Sequence, residues 1–170
     1  MSAWNYNKDD IDRVKLPKKI VEKFSNELGK ITDGKIVARV QEYNGAYVSE
    51  DRGAPIVSLL KGDPLKFDVQ SIMGENATSD GERNKFVYEM YITSKNTPNY
   101  RYRVLIMYYG ILMYPVGMTI QEDIANEIGL KSEGINIENE DELNMVIEKI
   151  LGSDTIGRIL RNLARLNVNG

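Results

Sequence analysis

The densest run of apolar and β-branched side chains lies between residues 86 and 118. Turn-forming residues divide it into three segments that are rich in Tyr, Val, Ile and Met, the last of them running from Ile111 to Met118. Seven of the ten tyrosines fall between Tyr88 and Tyr114. β-branched and aromatic residues at this density, separated by turn residues, are typical of consecutive antiparallel strands. The pattern therefore predicts a three-stranded meander over residues 86–118.

A helical pattern precedes this meander. Pro17 suits the first position of a helix, and Gly29 suits the position just past its end. The charged residues between them lie opposite an apolar stripe, which predicts an amphipathic helix that packs on a sheet. The apolar residues recur every four positions: Leu16, Ile20, Phe24 and Leu28.

Two to three further helices are predicted after the meander. Thr119 and Glu122 have the spacing of a capping box ahead of a short apolar stripe that ends at Gly129. The same signature recurs at residues 139–142, and a last amphipathic helix begins near Ser153 or Asp154. These helices follow the strands rather than alternate with them, which favours an α+β fold.

Further strands are predicted between the first helix and the meander. Asn44-Gly45 is typical of a tight hairpin that joins a strand at 35–43 to one at 46–49. Strict alternation predicts another strand at 65–70, and residues 74–85 form a polar loop that we consider a possible partner contact. We therefore expect an antiparallel sheet of about five to six strands in a single α+β domain, residues 16–168, preceded by a flexible arm, residues 1–15.

Composition removes several classes of function. The chain of 170 residues has no cysteine and no histidine, which excludes thiolate catalysis, disulfides and the commonest general base and transition-metal ligand. No apolar run approaches the length of a membrane span, so we expect a cytoplasmic protein, of bacterial or phage type, that does not contact the membrane. We predict no catalytic residue, no metal ligand and no cofactor.

A small carboxylate-based metal-dependent enzyme or ligand-binding protein is the first alternative. Acidic residues are frequent between Gln121 and Glu148, and a hydrolase without histidine would need such groups. Several of them fall in the first turn of a predicted helix, where negative charge complements the helix dipole. We therefore interpret most of them as a solvated helix face.

The Tyr-Arg alternation at 100–103 is similar to the aromatic and basic platforms that bind single-stranded nucleic acid. Period two predicts that Arg101 and Arg103 share a face with Leu105, Met107 and Tyr109. It puts Tyr100, Tyr102 and Tyr108 on the opposite face. A stacking platform needs its aromatic and cationic side chains together. The alternation, together with a net charge of −3, therefore disfavours nucleic acid as a partner.

The same alternation makes both faces apolar from Val104 to Tyr114. A sheet with one solvated face has polar residues at every second position, so we expect both faces to be covered here. Either the chain's own helices cover them, or one face meets a protein partner or a second copy in a homodimer. We predict a non-catalytic protein-interaction module such as a regulator, adaptor, inhibitor or immunity-type factor, which contacts its partner through Tyr91, Tyr109 and Met113.

A stripe of three arginines on the last predicted helix is the other candidate partner-binding surface. Arg158, Arg161 and Arg165 lie opposite its apolar face and could contact phosphates or an acidic protein. Nucleic-acid binding through this helix is the second alternative. Cations near the C-terminus of a helix also complement its dipole, which is a sufficient structural reason for them.

Overall fold

The computed structural model describes residues 3–11, 13–43 and 86–168. The helices are α1 (Pro17–Ile31), α2 (Glu122–Ile128), α3 (Glu140–Leu151) and α4 (Asp154–Val168), and a single 3-10 turn spans Lys8–Asp10. The strands are β1 (Ile36–Glu42), β2 (Phe86–Ser94), β3 (Thr97–Tyr109), β4 (Val116–Ile120) and β5 (Ile135–Ile137).

The predicted α+β architecture is confirmed. The five strands form one sheet in the order β1-β2-β3-β4-β5, and every neighbouring pair is antiparallel. Strand β5 was not predicted, because three residues are too few to display an alternation. The predicted hairpin at 44–45, the strand at 65–70 and the loop at 74–85 lie outside the described residues.

The described helices all pack on one side of the sheet, here named the first face. Alternate residues of the strands project from it into a continuous core with the apolar stripes of the helices. Tyr109 belongs to this face and is 4% exposed. Burial raises the pKa of Tyr109 to about 12, and Tyr88 adds to this shift, whereas the backbone N–H of Lys18 opposes it. The core includes Ile20, Val21, Met90, Leu105, Met107, Met118, Ile124, Ile147 and Ile156.

A β-bulge at Val104 reverses the predicted facing of the start of β3. Met90 pairs with Leu105 but Tyr91 pairs with Arg103, so Val104 is an additional residue on its strand. Strict alternation predicted that Arg101 and Arg103 share a face with Leu105. Because of the bulge, they do not. They project from the opposite side of the sheet, here named the second face.

The third strand of the meander begins later than predicted. Residues 110–115 form a turn in which Met113 N donates to Gly110 O at 2.9 Å and Tyr114 N donates to Leu112 O at 2.8 Å. Met113 has a φ of 67°, and Leu112 is 89% exposed. The two apolar faces therefore end at Tyr109 and not at Tyr114.

Two predicted helix termini also differ. Helix α1 continues through Gly29 to Ile31, and its C-cap is Thr32. Thr119 lies in β4 and not at a cap, since Gln121 is the N-cap of α2 and makes no side-chain capping bond. In contrast, Asn139 accepts from the N–H of Glu142 at 2.9 Å, which confirms the cap that was predicted for α3.

The part of the chain before α1 is solvent-facing wherever it is described. Residues 3–11 and 13–16 are all exposed and contain only the Lys8–Asp10 turn, whose N-cap Asn7 accepts from the N–H of Asp9. The flexibility of this arm stays a prediction. Among the described helices, none has both the length and the apolar character of a membrane span.

A glycine in β4 allows an aromatic ring to lie flat on the second face. Gly117 pairs with Tyr108, and a Cβ atom at residue 117 would lie 2.2 Å from Cζ of that ring.

We expect Gly117→Ala to displace the Tyr108 ring and to reduce the free energy of unfolding by about 1–3 kcal/mol, because overpacking has costs of this size. Urea denaturation monitored by circular dichroism measures the change.

The matched control is Gly110→Ala, since no atom lies within 4 Å of the added methyl group there. We expect this control to stay within about 0.5 kcal/mol of the parent. If the ring is the cause, Gly117→Ala is less destabilising in a Tyr108→Ala background. Equal effects of Gly117→Ala and Gly110→Ala would show that no close contact constrains residue 117.

Candidate partner-binding groove along strand β1

Strand β1 is an edge of the described sheet, and its backbone alternates between two directions. Lys35 O accepts from Lys95 N at 3.1 Å, and Tyr43 N donates to Val87 O at 2.9 Å, so odd-numbered residues bond toward β2 and the hairpin that follows it. In an antiparallel ladder the residues between them direct both backbone groups the other way. The N–H and C=O groups of residues 36, 38, 40 and 42 therefore face away from the sheet.

Side chains at the end of α1 and just after it occupy the first half of this edge. Thr32 Oγ1 accepts from Ile36 N at 3.2 Å and lies 2.7 Å from Ile36 O. Ser25 Oγ donates to Ala38 O at 2.6 Å. The outward N–H and C=O groups of Val40 and Glu42 have no hydrogen-bond partner within residues 3–11, 13–43 and 86–168. The second half of the edge, residues 40–42, thus has no strand partner among these residues and is here named the open half.

A groove of about 560 Å³ lies beside this open half. Its volume falls in the range of ligand clefts, roughly 300–1,000 Å³. Helix α1 forms one wall and β1 the other, and the lining is mainly polar. The lining residues are Glu22, Ser25, Asn26, Ala38, Arg39, Val40, Gln41 and Tyr91.

A stacked arginine and tyrosine adjoin the groove on the second face. Arg39 pairs with Tyr91 in the ladder, and the guanidinium carbon of Arg101 lies 3.8 Å from the centroid of the Tyr91 ring. Burial raises the pKa of Tyr91; the charge of Arg39 opposes this effect, and that of Glu89 adds to it. Burial also lowers the pKa of Arg101, and the charges of Arg103 and Arg39 lower it further. The guanidinium groups of Arg101, Arg103 and the exposed Arg39 therefore lie near one another on the second face.

A buried carboxylate organises the polar side chains of this face. Glu89 is 3% exposed, and it accepts from Arg103 Nε at 2.9 Å and from Gln41 Nε2 at 2.6 Å. The guanidinium carbon of Arg103 also lies 5.3 Å from the centroid of the Tyr43 ring. These contacts connect β1, β2 and β3, so they fix the positions of the side chains that flank the groove.

We expect Glu89→Gln to lower the free energy of unfolding by about 2 kcal/mol, because a hydrogen bond to a charged group contributes about 1.5–3 kcal/mol. Urea denaturation at neutral pH measures this change. The control is Glu148→Gln, an exposed acid on α3, which we expect to change stability by less than about 0.5 kcal/mol. Similar values for the two variants would contradict a structural role for the Glu89 carboxylate.

The predicted contact residues do not form one surface. Tyr91 is 9% exposed and lines the groove on the second face. Tyr109 projects from the first face into the core, where its ring lies 6.0 Å from that of Tyr88. Met113 lies in the turn that follows β3, where it is half-buried. Of these three residues, only Tyr91 lies in the groove.

The arginines of α4 are exposed, as expected from their spacing. Arg158, Arg161 and Arg165 all face solvent, and Arg161 folds back toward Gly157.

Glu127 of α2 caps the start of α4. Its carboxylate accepts from Thr155 N at 3.1 Å, from Thr155 Oγ1 at 2.9 Å and from Asp154 N. Desolvation raises the pKa of Glu127, but these hydrogen bonds and the charge of Arg158 together bring it below its ordinary value.

The low pKa of Glu127 predicts a pH-dependent contribution to stability. A carboxyl group whose pKa is lower in the folded state stabilises the protein above its unfolded pKa, and this stabilisation is lost as the pH falls through the folded pKa. We therefore expect Glu127→Gln to lower the urea midpoint at pH 7, and the difference from the parent to vanish in acid. A constant difference across this pH range would show that the charge has no part in the cap.

The bulge removes one argument against nucleic acid and supplies another. Arg101 and Arg103 share a face with Tyr91 and Tyr108, whereas strict alternation put Tyr108 on the opposite face. Their predicted separation from Tyr100 and Tyr102 is kept. However, the Arg101 guanidinium lies over the Tyr91 ring, and Arg103 is bound to Glu89. A stacking platform needs open aromatic faces, so these contacts favour a partner other than single-stranded nucleic acid.

Sequence reasoning missed most of the groove. Ser25 and Thr32 carried a weak signal, since each is a polar residue close to the apolar stripe of α1. Arg39 and Gln41 alternate with apolar residues of β1, but the sequence contains no sign that β1 is an edge. Within the described parts of the chain, no group of three or more acidic residues is placed to hold a metal ion.

No family model, curated protein or solved structure matches the chain.

Proposed function

We propose that the protein is a non-catalytic binding module of the cytoplasm that takes an extended segment of a partner protein as an additional strand along β1. The observation that carries this proposal is the open half of the β1 edge. The outward N–H and C=O groups of Val40 and Glu42 have no partner in the described structure, and the groove lies beside them. Addition of a strand to such an edge is a recurring mode of peptide recognition.

The two halves of the edge support a defined binding register. Thr32 bonds to both outward backbone groups of Ile36, and Ser25 bonds to the C=O of Ala38. An incoming strand therefore finds both outward groups available at Val40 and Glu42. An exposed edge with no such protection tends to pair with any other edge, and proteins limit this with short or covered edges. An edge that is covered over one half and open over the other favours a short, specific partner segment.

Proline substitutions at the edge test this proposal. Because Val40 N–H faces away from β2, Val40→Pro removes a donor for the partner without loss of a ladder bond, and proline is tolerated at such positions. Short peptides selected on the immobilised protein from a phage-displayed random library serve as the probe. We expect Val40→Pro to weaken binding of the selected peptides, measured by fluorescence anisotropy, by about tenfold, since a lost hydrogen bond and a steric block together cost about 1.4 kcal/mol.

Amide hydrogen exchange provides a readout that does not depend on folding of the proline variant. We expect a bound peptide to slow exchange at Val40 and Glu42, and to leave Gln41, which already faces β2, unchanged. Glu42→Pro, at the exposed end of β1, is the second variant if Val40→Pro unfolds. Selected peptides that protect other amides, or a dimer in light scattering that the proline variants abolish, would overturn the proposal.

A further inference from the structure

We infer that the partner segment carries an acidic side chain at the position opposite Arg39. This inference rests on the proposed function, since it specifies the chemistry of a strand added to β1. Arg39 is exposed, lines the groove and has no ion-pair partner among the described residues. A long cationic side chain at the open edge is therefore available to a partner.

The ladder geometry brings an opposing side chain close to Arg39. Since the backbone groups of residue 39 face β2, a residue opposite it on an added antiparallel strand forms a pair without hydrogen bonds. In such pairs the side chains project from the same face and the Cβ atoms are closest, about 4.5–5.5 Å apart. A carboxylate at this position reaches the Arg39 guanidinium on the second face.

The charges around the groove favour an anion on this side. The described side chains of the second face include three arginines, Arg39, Arg101 and Arg103, and one acid, Glu89. Glu89 is already bound by Arg103 and Gln41. On the opposite wall, Glu22 lies 3.5 Å from Lys18 Nζ, which offsets its charge. Glu89 and Glu22 are therefore both already paired with cations.

The neighbouring positions of the segment face a different environment. The residue opposite Val40 projects from the first face, where Ser25 and Asn26 of α1 line the groove. The proximity of the helix, shown by the 2.6 Å bond from Ser25 Oγ to Ala38 O, limits the room there. The expected segment therefore has an acid opposite Arg39 and a small or polar residue next to it, opposite Val40.

The test uses the peptides selected on the full-length protein, each synthesised with its acidic residue intact, replaced by Gln, or replaced by Lys. We expect the selection to enrich Asp or Glu at one fixed position. We expect Arg39→Glu to lower the affinity for the acidic peptide about five- to tenfold. The Lys peptide is expected to bind Arg39→Glu better than the parent, which a general loss of folding would not produce. Lys131→Glu, a charge reversal at an exposed residue between α2 and β5, is the control and leaves affinity unchanged.

The two levels of the proposal fail in different ways. One outcome overturns the acidic preference but leaves strand addition in place. In that case the selected peptides bind Val40→Pro more weakly, but they contain no fixed acidic position and bind Arg39→Glu as well as the parent. Peptides that respond to neither variant overturn both. A response to Lys131→Glu as large as that to Arg39→Glu would show that net charge, rather than the groove, attracts the acidic peptide.

Discussion

The β-bulge at Val104 decides which side chains the two faces of the sheet present. Without the additional residue, Arg101 and Arg103 would project into the apolar core beside Met90 and Leu105, where an unpaired charge is costly. With it, both arginines lie on the second face, one over Tyr91 and the other against Glu89. The polar side chains around the groove are therefore a consequence of one local irregularity in β3.

The second constraint is the backbone of the edge strand. Buried backbone groups need partners, and an open edge risks uncontrolled pairing. Helix α1 addresses this over half of the strand through Ser25, and Thr32 does so just after the helix. Because the helix leads through a short turn directly into β1, the connection itself brings these hydroxyl groups to the edge. The open half then lies where α1 contributes Glu22 and Asn26 to the groove instead of a cap.

Much of the fold could be predicted because it depends on local patterns. The stripe of α1, the strands of the meander and the caps at Asn139 and near Ser153 are each encoded within a few residues. The errors arose where a tertiary feature overrides a periodic pattern. The bulge shifts the alternation by one residue, and the 110–115 turn interrupts a run whose composition is that of a strand. Thr119 has capping-box spacing but pairs with Ile106 in the sheet.

The groove was less predictable than the fold, because its members come from separate segments and have ordinary residue types. Tyr91 was predicted as a contact residue because it belongs to a Tyr- and Met-rich sheet. Its surroundings in the structure depend instead on its pairing with Arg39 and on the position of Arg101. Tyr109 met the same criteria and lies in the core. Period two separates the faces of a strand, but it does not identify which face the helices cover.

The two faces of the sheet differ in what each can offer a partner. On the first face the helices and the strands complete one apolar core, so a partner could reach residues such as Tyr109 only by displacing a helix. On the second face the long polar side chains contact one another. Glu89 and Arg103 are paired, so they hold the strands in place rather than offer a binding group to a partner. In the part of the chain that the structure describes, backbone polarity, an exposed cation and space coincide at the edge of Val40, with Arg39 next to it. This coincidence favours recognition through the strand backbone, with selectivity supplied by charge.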